Sequence, residues 1–436
     1  MKNICYVLLC CFILSNCQKP VPQQSHVITE DIEHFWEAYD SIRSTTDSAL
    51  QVRYLQNLFL DRGTAGLAAM REVRRYSPQS YLQAIQQYPR FWDAIRQNTQ
   101  KAQSLSKDLE AGVEKFKKLY PDLKPAKIYF TIGALMSNGT TLDSLVLIGS
   151  ELALADSTIP TEEFPQLLGH LRPFFDSNPI EHIVFLNVHE YVHTQQKNVV
   201  GSNLLTQCFN EGIAEFVAEK SMESPSVTPA IAFGKKNDEA VKLAFTKEMF
   251  GHNYYNWLWN NTNNPFQMRD LGYYVGYAIA DKYFQKTSNK VQAIKTLIEL
   301  DSPNIESLEN FIDETGYFSK SIATLKNEYE GNRPKVIKVS PFANGSQKVR
   351  PGVHEVIIQF STKMDTRFRG FEFGPLGQQH VLAVNEFIGF SEDGTQVKFK
   401  VDLKANHRHQ LVLSNRFRAE SGAELAPYLI EIKTSK

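Results

Sequence analysis

Usable cysteine is nearly absent from this chain. Five cysteines occur in 436 residues, and Cys5, Cys10, Cys11 and Cys17 all crowd the N-terminus. Only Cys208 belongs to the body of the sequence, so no internal disulfide can staple the fold in any redox compartment. A thiol nucleophile has little support either, because a lone Cys208 reads as a small buried packing residue. No G-x-S-x-G segment is present, which removes the nucleophile elbow of serine hydrolases. An excess of one charge is also lacking. The formal net charge is −1 with acids and bases interspersed, so there is no nucleic-acid footprint. Runs such as Arg71-Glu72-Val73-Arg74-Arg75 read as a solvated helix face. Internal repeats and low-complexity blocks are missing, and the apolar run from Ile4 to Leu14 is too short for a comfortable membrane span.

What is present begins with a targeting segment. Lys2, the short apolar run and Leu14-Ser15-Asn16-Cys17 resemble a lipoprotein signal with its lipobox, spanning residues 1–16. Cleavage before Cys17 would make that cysteine the lipid-bearing first residue; the plain alternative is a structural cysteine. Two or more acyl chains give a stable anchor, and residues 17–27, with Pro20 and Pro22, read as a tether. The expected location is the cell envelope, with the membrane as a partner through the N-terminal lipid. Hydrophobic residues make up 42% of the chain, ample for a core, and the length suggests more than one domain.

The most specific pattern is His189-Glu190-Tyr191-Val192-His193, an H-E-x-x-H segment, followed by Asn210-Glu211-Gly212-Ile213-Ala214-Glu215. Residues four apart on a helix lie on one face, so His189 and His193 can aim both imidazoles at one ion. Glu190 sits roughly 100° round the helix, beside the ion rather than on it, where a general base for an attacking water belongs. Asn178-Pro179-Ile180-Glu181 predicts a capping box at the start of this helix, with proline at its first position. Ile183, Val184, Leu186, Val188 and Val192 supply its buried face. Glu211 offers a third ligand, completing the His₂Glu set that zinc accepts. Glu215, four residues on, can receive the second ring N–H of a ligand histidine. Gly212, costly inside a helix, predicts a close backbone approach, expected against the H-E-x-x-H helix. His182 lies about 10 Å along the axis from His189, too far to share an ion, and reads as a first-turn surface residue.

These two segments resemble the gluzincin clan of zinc metallopeptidases, through His189-Glu190-x-x-His193 and an N-E-G-x-A segment at Asn210 to Ala214. The resemblance covers the middle third of the chain. It implies Zn²⁺ as cofactor, a peptide or protein substrate, and a tyrosine from a Y-x-x-G segment that steadies the oxyanion. Tyr273-Tyr274-Val275-Gly276 fits that segment, which makes Tyr273 the candidate, with Tyr274 and Tyr277 as rivals; ordinary aromatic helix packing is the bland alternative. The family's aminopeptidases also carry an acidic G-x-M-E-N segment that grips a free amine. The nearest counterpart here, Gly133-Ala134-Leu135-Met136-Ser137-Asn138, lacks the acid and lies farther upstream. The chain is similar to predicted zinc-dependent peptidases that occur as bacterial lipoproteins, including relatives of gliding-motility lipoproteins. A non-catalytic binding or assembly lipoprotein that keeps a peptidase-like domain is the competing expectation.

Around these motifs the pattern predicts an α+β chain. Residues 28–332 form a mostly helical metallopeptidase domain with a small sheet. Helices are expected from Ile28 to Tyr120, with Phe35, Tyr39 and Ile42 on one stripe and Leu109, Val113, Phe116 and Leu119 on another. Strands follow at Lys127–Ile132 and Ser144–Gly149, with a turn at Ser137–Thr140 between them. An edge of that sheet could take an extended peptide by β-addition. Helices return after Glu215 as far as Asn332, interrupted by the aromatic, asparagine-rich stretch Asn253 to Asn264, which reads as a cleft lining or as a loop with core aromatics. From residue 333 to 436 strand alternation takes over at Val336–Val339, Val353–Phe360, Val397–Val401 and Gln410–Leu413. This part resembles a bacterial Ig-like sandwich of the surface-layer type, through Val339-Ser340-Pro341, Phe360-Ser361-x-x-Met364-Asp365 and Ser421-Gly422-x-x-Leu425-Ala426. His407 and His409 share a strand face and are expected to be exposed.

Overall fold

Apolar stripes with helical spacing build most of the molecule. A computed structural model describes residues 26–260 and 264–436; the signal segment, Cys17 and Asn261 to Asn263 lie outside the described residues. The helices are α1 (Glu30–Arg43), α2 (Ser48–Tyr54), α3 (Ala65–Arg74), α4 (Pro78–Gln87), α5 (Pro89–Thr99), α6 (Ser106–Leu119), α7 (Ser150–Ala153), α8 (Leu171–Asp176), α9 (Ile183–His193), α10 (Leu204–Met222), α11 (Pro229–Phe245), α12 (Leu271–Lys286), α13 (Lys290–Glu299), α14 (Ile305–Thr315) and α15 (Ile322–Asn332). The strands are β1 (Val27–Ile28), β2 (Lys127–Thr131), β3 (Gly139–Leu142), β4 (Leu145–Gly149), β5 (Val336–Ser340), β6 (Gly352–Phe360), β7 (Phe371–Glu372), β8 (Val384–Phe390), β9 (Gln396–Leu403), β10 (Arg408–Leu413) and β11 (Tyr428–Lys433). The chain is therefore a mixed α+β protein with several small sheets.

The chain forms two compact units. The first runs to Glu114 and resumes at Lys124–Thr194. Its helical core is aromatic: Phe35, on the stripe expected for α1, lies 5.0 Å from the Trp92 ring and 5.3 Å from Phe59, in the edge and tilted geometries that aromatic quadrupoles favour. Its sheet has the order β1-β2-β4-β3, with β1, β2 and β4 parallel and β3 antiparallel on the edge. The segment expected as a turn is thus half strand. Gly139 and Thr140 already pair with β4, and the reversal falls later, at Asp143, whose φ of 51° supplies the left-handed residue of a tight hairpin.

The second unit comprises Lys115–Leu123 and Gln195–Lys436. Its helices end at Asn332 and its strands begin at Val336. Two sheets follow, β5-β6-β9-β8 and β11-β10-β7. Both feed a single hydrophobic cluster that includes Val356, Ile358, Phe399 and Val401 from the first and Leu411, Leu413, Ile430 and Ile432 from the second. The β-rich part is joined to the helices by polar contacts: the His252 N–H donates to the Glu424 carboxylate (3.0 Å), and the Arg333 guanidinium donates to the Glu424 and Leu425 carbonyls. His409 departs from expectation. It is buried rather than exposed, while His407 is only half-buried, because the chain around Lys404 folds over the ring and its carbonyl takes the His409 Nε2 contact at 3.3 Å.

Candidate functional site

The H-E-x-x-H segment lies on α9, whose other residues are apolar apart from the buried Asn187 and Tyr191. His189 and Glu190 are buried and His193 is half-buried. One helical turn separates the two histidines, which brings their rings to 4.9 Å and their Nε2 atoms to 3.2 Å. Tyr191, on another face, fixes the rotation of the helix by accepting the Ala126 N–H at 2.7 Å just ahead of β2. The predicted capping box is not formed. An N-cap needs extended backbone, but Asn178 is left-handed (φ 51°) and its Oδ1 accepts the Ser157 N–H instead. The helix opens as a 3₁₀ turn at Pro179–His182 and becomes α-helical at Ile183. His182 stands at that junction, half-buried.

Glu190 meets the edge strand. A Cβ on Gly139 would lie 2.7 Å from Glu190 Oε1, so only glycine at this position of β3 leaves room for the carboxylate. The Gly139 carbonyl accepts from the Ser137 hydroxyl (2.6 Å) and from Arg74 (3.3 Å). The loop before it, Gly133 to Asn138, contains the segment set beside the family's amine grip. The Glu151 carboxylate pins that loop, accepting the Gly133 and Leu135 N–H groups at 2.9 and 3.2 Å. Glu151 is fully buried, and burial pushes its carboxyl up to about 7 against the pull of those two N–H donors. Neither Gly139 nor Glu151 carries a motif; in sequence Gly139 reads only as part of a turn, and its pairing with β4 is what the structure adds.

Glu211 and Tyr273 sit on α10 and α12, which cross at glycine. A Cβ on Gly212 would fall 2.1 Å from the Tyr277 nitrogen, and one on Gly276 would fall 2.0 Å from the Cys208 carbonyl oxygen. The close approach expected of Gly212 is real, but its nearest neighbours are α12 backbone atoms, not α9, because Gly276 is the residue with no side chain opposite it. The contact places Glu211, one residue before Gly212, on a helix locked to the one that carries Tyr273. Asn203 caps α10, accepting the Thr206 N–H at 3.0 Å. Glu215 is buried and accepts the Ser226 hydroxyl, a partner without any sequence signal. Cys208 is a free, fully buried thiol whose pKa burial raises, as a packing residue requires.

Two of the three candidate tyrosines on α12 have carboxylate partners. Tyr274 donates to Asp238 (2.8 Å), a carboxylate shared with Tyr317. Tyr277 donates to Glu219 (2.6 Å) and accepts from Lys235 (2.9 Å). Burial and then these carboxylates hold both phenols well above the ordinary tyrosine range. Tyr273 is half-buried.

His189, His193 and Glu211 each offer one ligand atom, and these atoms all lie within 4.8 Å of one another. Such a group can hold a metal ion. Two imidazole nitrogens bound tetrahedrally to zinc at about 2.0–2.1 Å stand about 3.4 Å apart, close to the 3.2 Å observed between the Nε2 atoms. Two nitrogen donors with one carboxylate suit a borderline ion and not calcium or magnesium, which prefer oxygen. No family model matches the chain, and no curated protein matches it. Among solved structures, a match is found to the "Crystal structure of the S-layer protein rSbsC(31-844)", with 12% identity over 64% of this chain and 38% of that one, at a TM-score of 0.18. That score defines no shared fold.

Among the described residues the other histidines make no comparable group. His380 stacks on His407 at 5.0 Å and His407 meets His409 at 4.8 Å. Their ring nitrogens turn outward to three different carbonyls, those of Arg408, Gln379 and Lys404. Within Asn253 to Asn264, Trp257 is buried while Tyr255 and Trp259 are exposed.

Proposed function

We propose that the chain is a zinc-dependent peptide hydrolase of the gluzincin kind, held at the cell envelope by a lipid on Cys17. The observation that carries this reading is the convergence of His189, His193 and Glu211 ligand atoms within 4.8 Å. In this reading those three residues hold the zinc. Zinc so held supplies Lewis acidity, polarising a carbonyl and lowering the pKa of water. Glu190 takes the proton of the attacking water on a carboxylate oxygen and passes it to the leaving amine nitrogen. Tyr273 donates a hydrogen bond from its hydroxyl to the oxygen that gains charge and keeps its proton. Glu215 fixes the tautomer of a ligand histidine, a role that its burial and its position one turn beyond Glu211 support. The substrate is a peptide or protein, and residues 333–436, with two sheets on one core, serve as an Ig-like spacer or binding domain.

The test is metal content with activity. The full chain should carry about one zinc, and Glu190→Gln should keep the zinc and lose hydrolysis of a peptide library. A chain that stays metal-free in zinc-supplemented buffer would overturn the proposal. A second reading is a non-catalytic envelope lipoprotein that binds or assembles. It is favoured by the Gly139 carbonyl, which Arg74 and Ser137 already occupy and which is thus lost to an added peptide strand. Identical digests from wild type and Glu190→Gln, with zinc bound in both, would establish that reading instead.

A further inference from the structure

The β-rich part of the second unit concentrates arginine at one place. Arg367, Phe368, Arg369, Arg416 and Arg418 line a pocket of about 460 Å³. Two segments carry them, tied together by the Asp365 N–H on the Arg418 carbonyl (2.8 Å) and the Ser414 N–H on the Gly370 carbonyl (3.0 Å). Gly370 fits so tightly that a Cβ would fall 2.4 Å from Ser414 Oγ. The side chains are also held. Arg418 and Arg367 lie 4.6 and 5.6 Å from the Phe368 centroid, and Arg369 lies 4.3 Å from that of Phe387, which orders their guanidinium planes.

Charge around the pocket is one-sided. Asp365 pairs with Arg367 at 2.6 Å and lies near enough to feel Arg418 as well. Among the described residues no carboxylate forms an ion pair with Arg369, Arg416 or Arg418, and the Nε of Arg418 is buried without a hydrogen-bond partner. Glu420 is engaged by Lys363, and Glu424 by the His252 N–H and Asn415. Glu248 lies close enough to feel Arg418 but accepts from Asn256. Arg369, Arg416 and Arg418 thus bring three guanidinium groups outside any ion pair to one rim, and an anion that joined them would relieve their mutual repulsion.

We propose that this pocket binds a phosphate group, with the organic part of the ligand lying against Phe368. One carboxylate fills one guanidinium fork, whereas a phosphomonoester brings a charge of about −1.5 to −2 and three acceptor oxygens. Arginine matches such oxygens in pairs, which lysine does not. The site is independent of the histidine group and of any peptidase activity.

The phosphate can come from a soluble compound or from a lipid headgroup, and one experiment distinguishes them. The full chain carrying Cys17→Ser, so that no acyl chain contributes, is treated with chelator and titrated with inorganic pyrophosphate by calorimetry. Binding is expected, weakened about tenfold or more by Arg416→Ala and by Arg418→Lys, and unaffected by Lys433→Ala at the far end of β11. Arg416 is exposed, so its replacement should change stability little, and an unchanged melting temperature checks that the domain stays folded. Sedimentation with phosphatidylcholine vesicles, with and without phosphatidic acid, then assigns the source: headgroup if acidic vesicles bind and pyrophosphate competes, soluble phosphate if they do not bind. Absence of pyrophosphate binding at millimolar concentration, or an equal loss with Lys433→Ala, overturns the proposal.

Discussion

At the scale of the residue, the room around the Glu190 carboxylate is set by a neighbour that has no side chain. The H-E-x-x-H spacing names His189, His193 and Glu190 because the helix has a fixed period. What surrounds Glu190 is non-local, and no period reports it. Gly139 looks like a turn residue in sequence, yet its missing side chain is what admits the Glu190 carboxylate. Gly139→Ala therefore makes a sharp test. The new methyl group meets the far end of a flexible side chain, so the carboxylate swings aside at little cost in stability. Zinc binding should be unchanged, while peptide hydrolysis falls by about 100-fold through misplacement of the base. A melting temperature measured beside the turnover rate separates this from unfolding. Full activity in Gly139→Ala would take Glu190 out of the proton transfer.

At the scale of the element, helix existence followed from apolar periodicity, while helix ends and partners did not. Asn178 has the right residue type for a cap, but the chain before it arrives in a left-handed turn, so its side chain serves Ser157 instead. Gly212 announces a tight contact without saying with what, since a glycine carries no side chain to specify a partner. The partner is α12, where Gly276 completes a backbone-to-backbone crossing. In Gly276→Ala the added carbon would sit 2.0 Å from the Cys208 carbonyl oxygen, which is rigid backbone. The helices must part, at a cost of about 3 kcal/mol or more, and Glu211 moves with α10. Denaturant unfolding should show the loss, and zinc affinity should fall with it. A Gly276→Ala variant as stable as wild type would mean that the crossing is loose. The tyrosines of α12 illustrate the same limit: a Y-x-x-G pattern does not report that Asp238 holds Tyr274 and Glu219 holds Tyr277, because both carboxylates come from other helices.

At the scale of the molecule, the helical stripes, the strands β2, β4, β5, β6, β9 and β10, and the shift from helix to strand near Pro334 were visible, while β11 went unread. The short strands β1 and β7 have too few residues to show alternation, and β8 is broken by register shifts at two places. The grouping of Lys115–Leu123 with the second unit depends on contacts distant in sequence, which composition does not encode. One global property follows from a single buried acid. Glu151 titrates near 7 in the folded chain and near 4.5 when unfolded, so between those values the native state holds a proton that the unfolded state has lost. Stability from this group is complete below about 4.5 and declines as the pH rises through about 7, for a total of about 3 kcal/mol. Carboxylates held below their usual range, such as Asp156 and Asp238, act in the opposite sense and at lower pH. Glu151→Gln removes the titration and forfeits one acceptor for the Gly133 and Leu135 N–H groups, so it should cost stability at about pH 5. By about pH 8 the comparison with wild type should have moved in its favour by between about 2 and 3 kcal/mol. Hydrogen exchange on β2 and β4 amides reports the first unit directly, and parallel pH profiles for the two chains would show that Glu151 ionises freely in the fold.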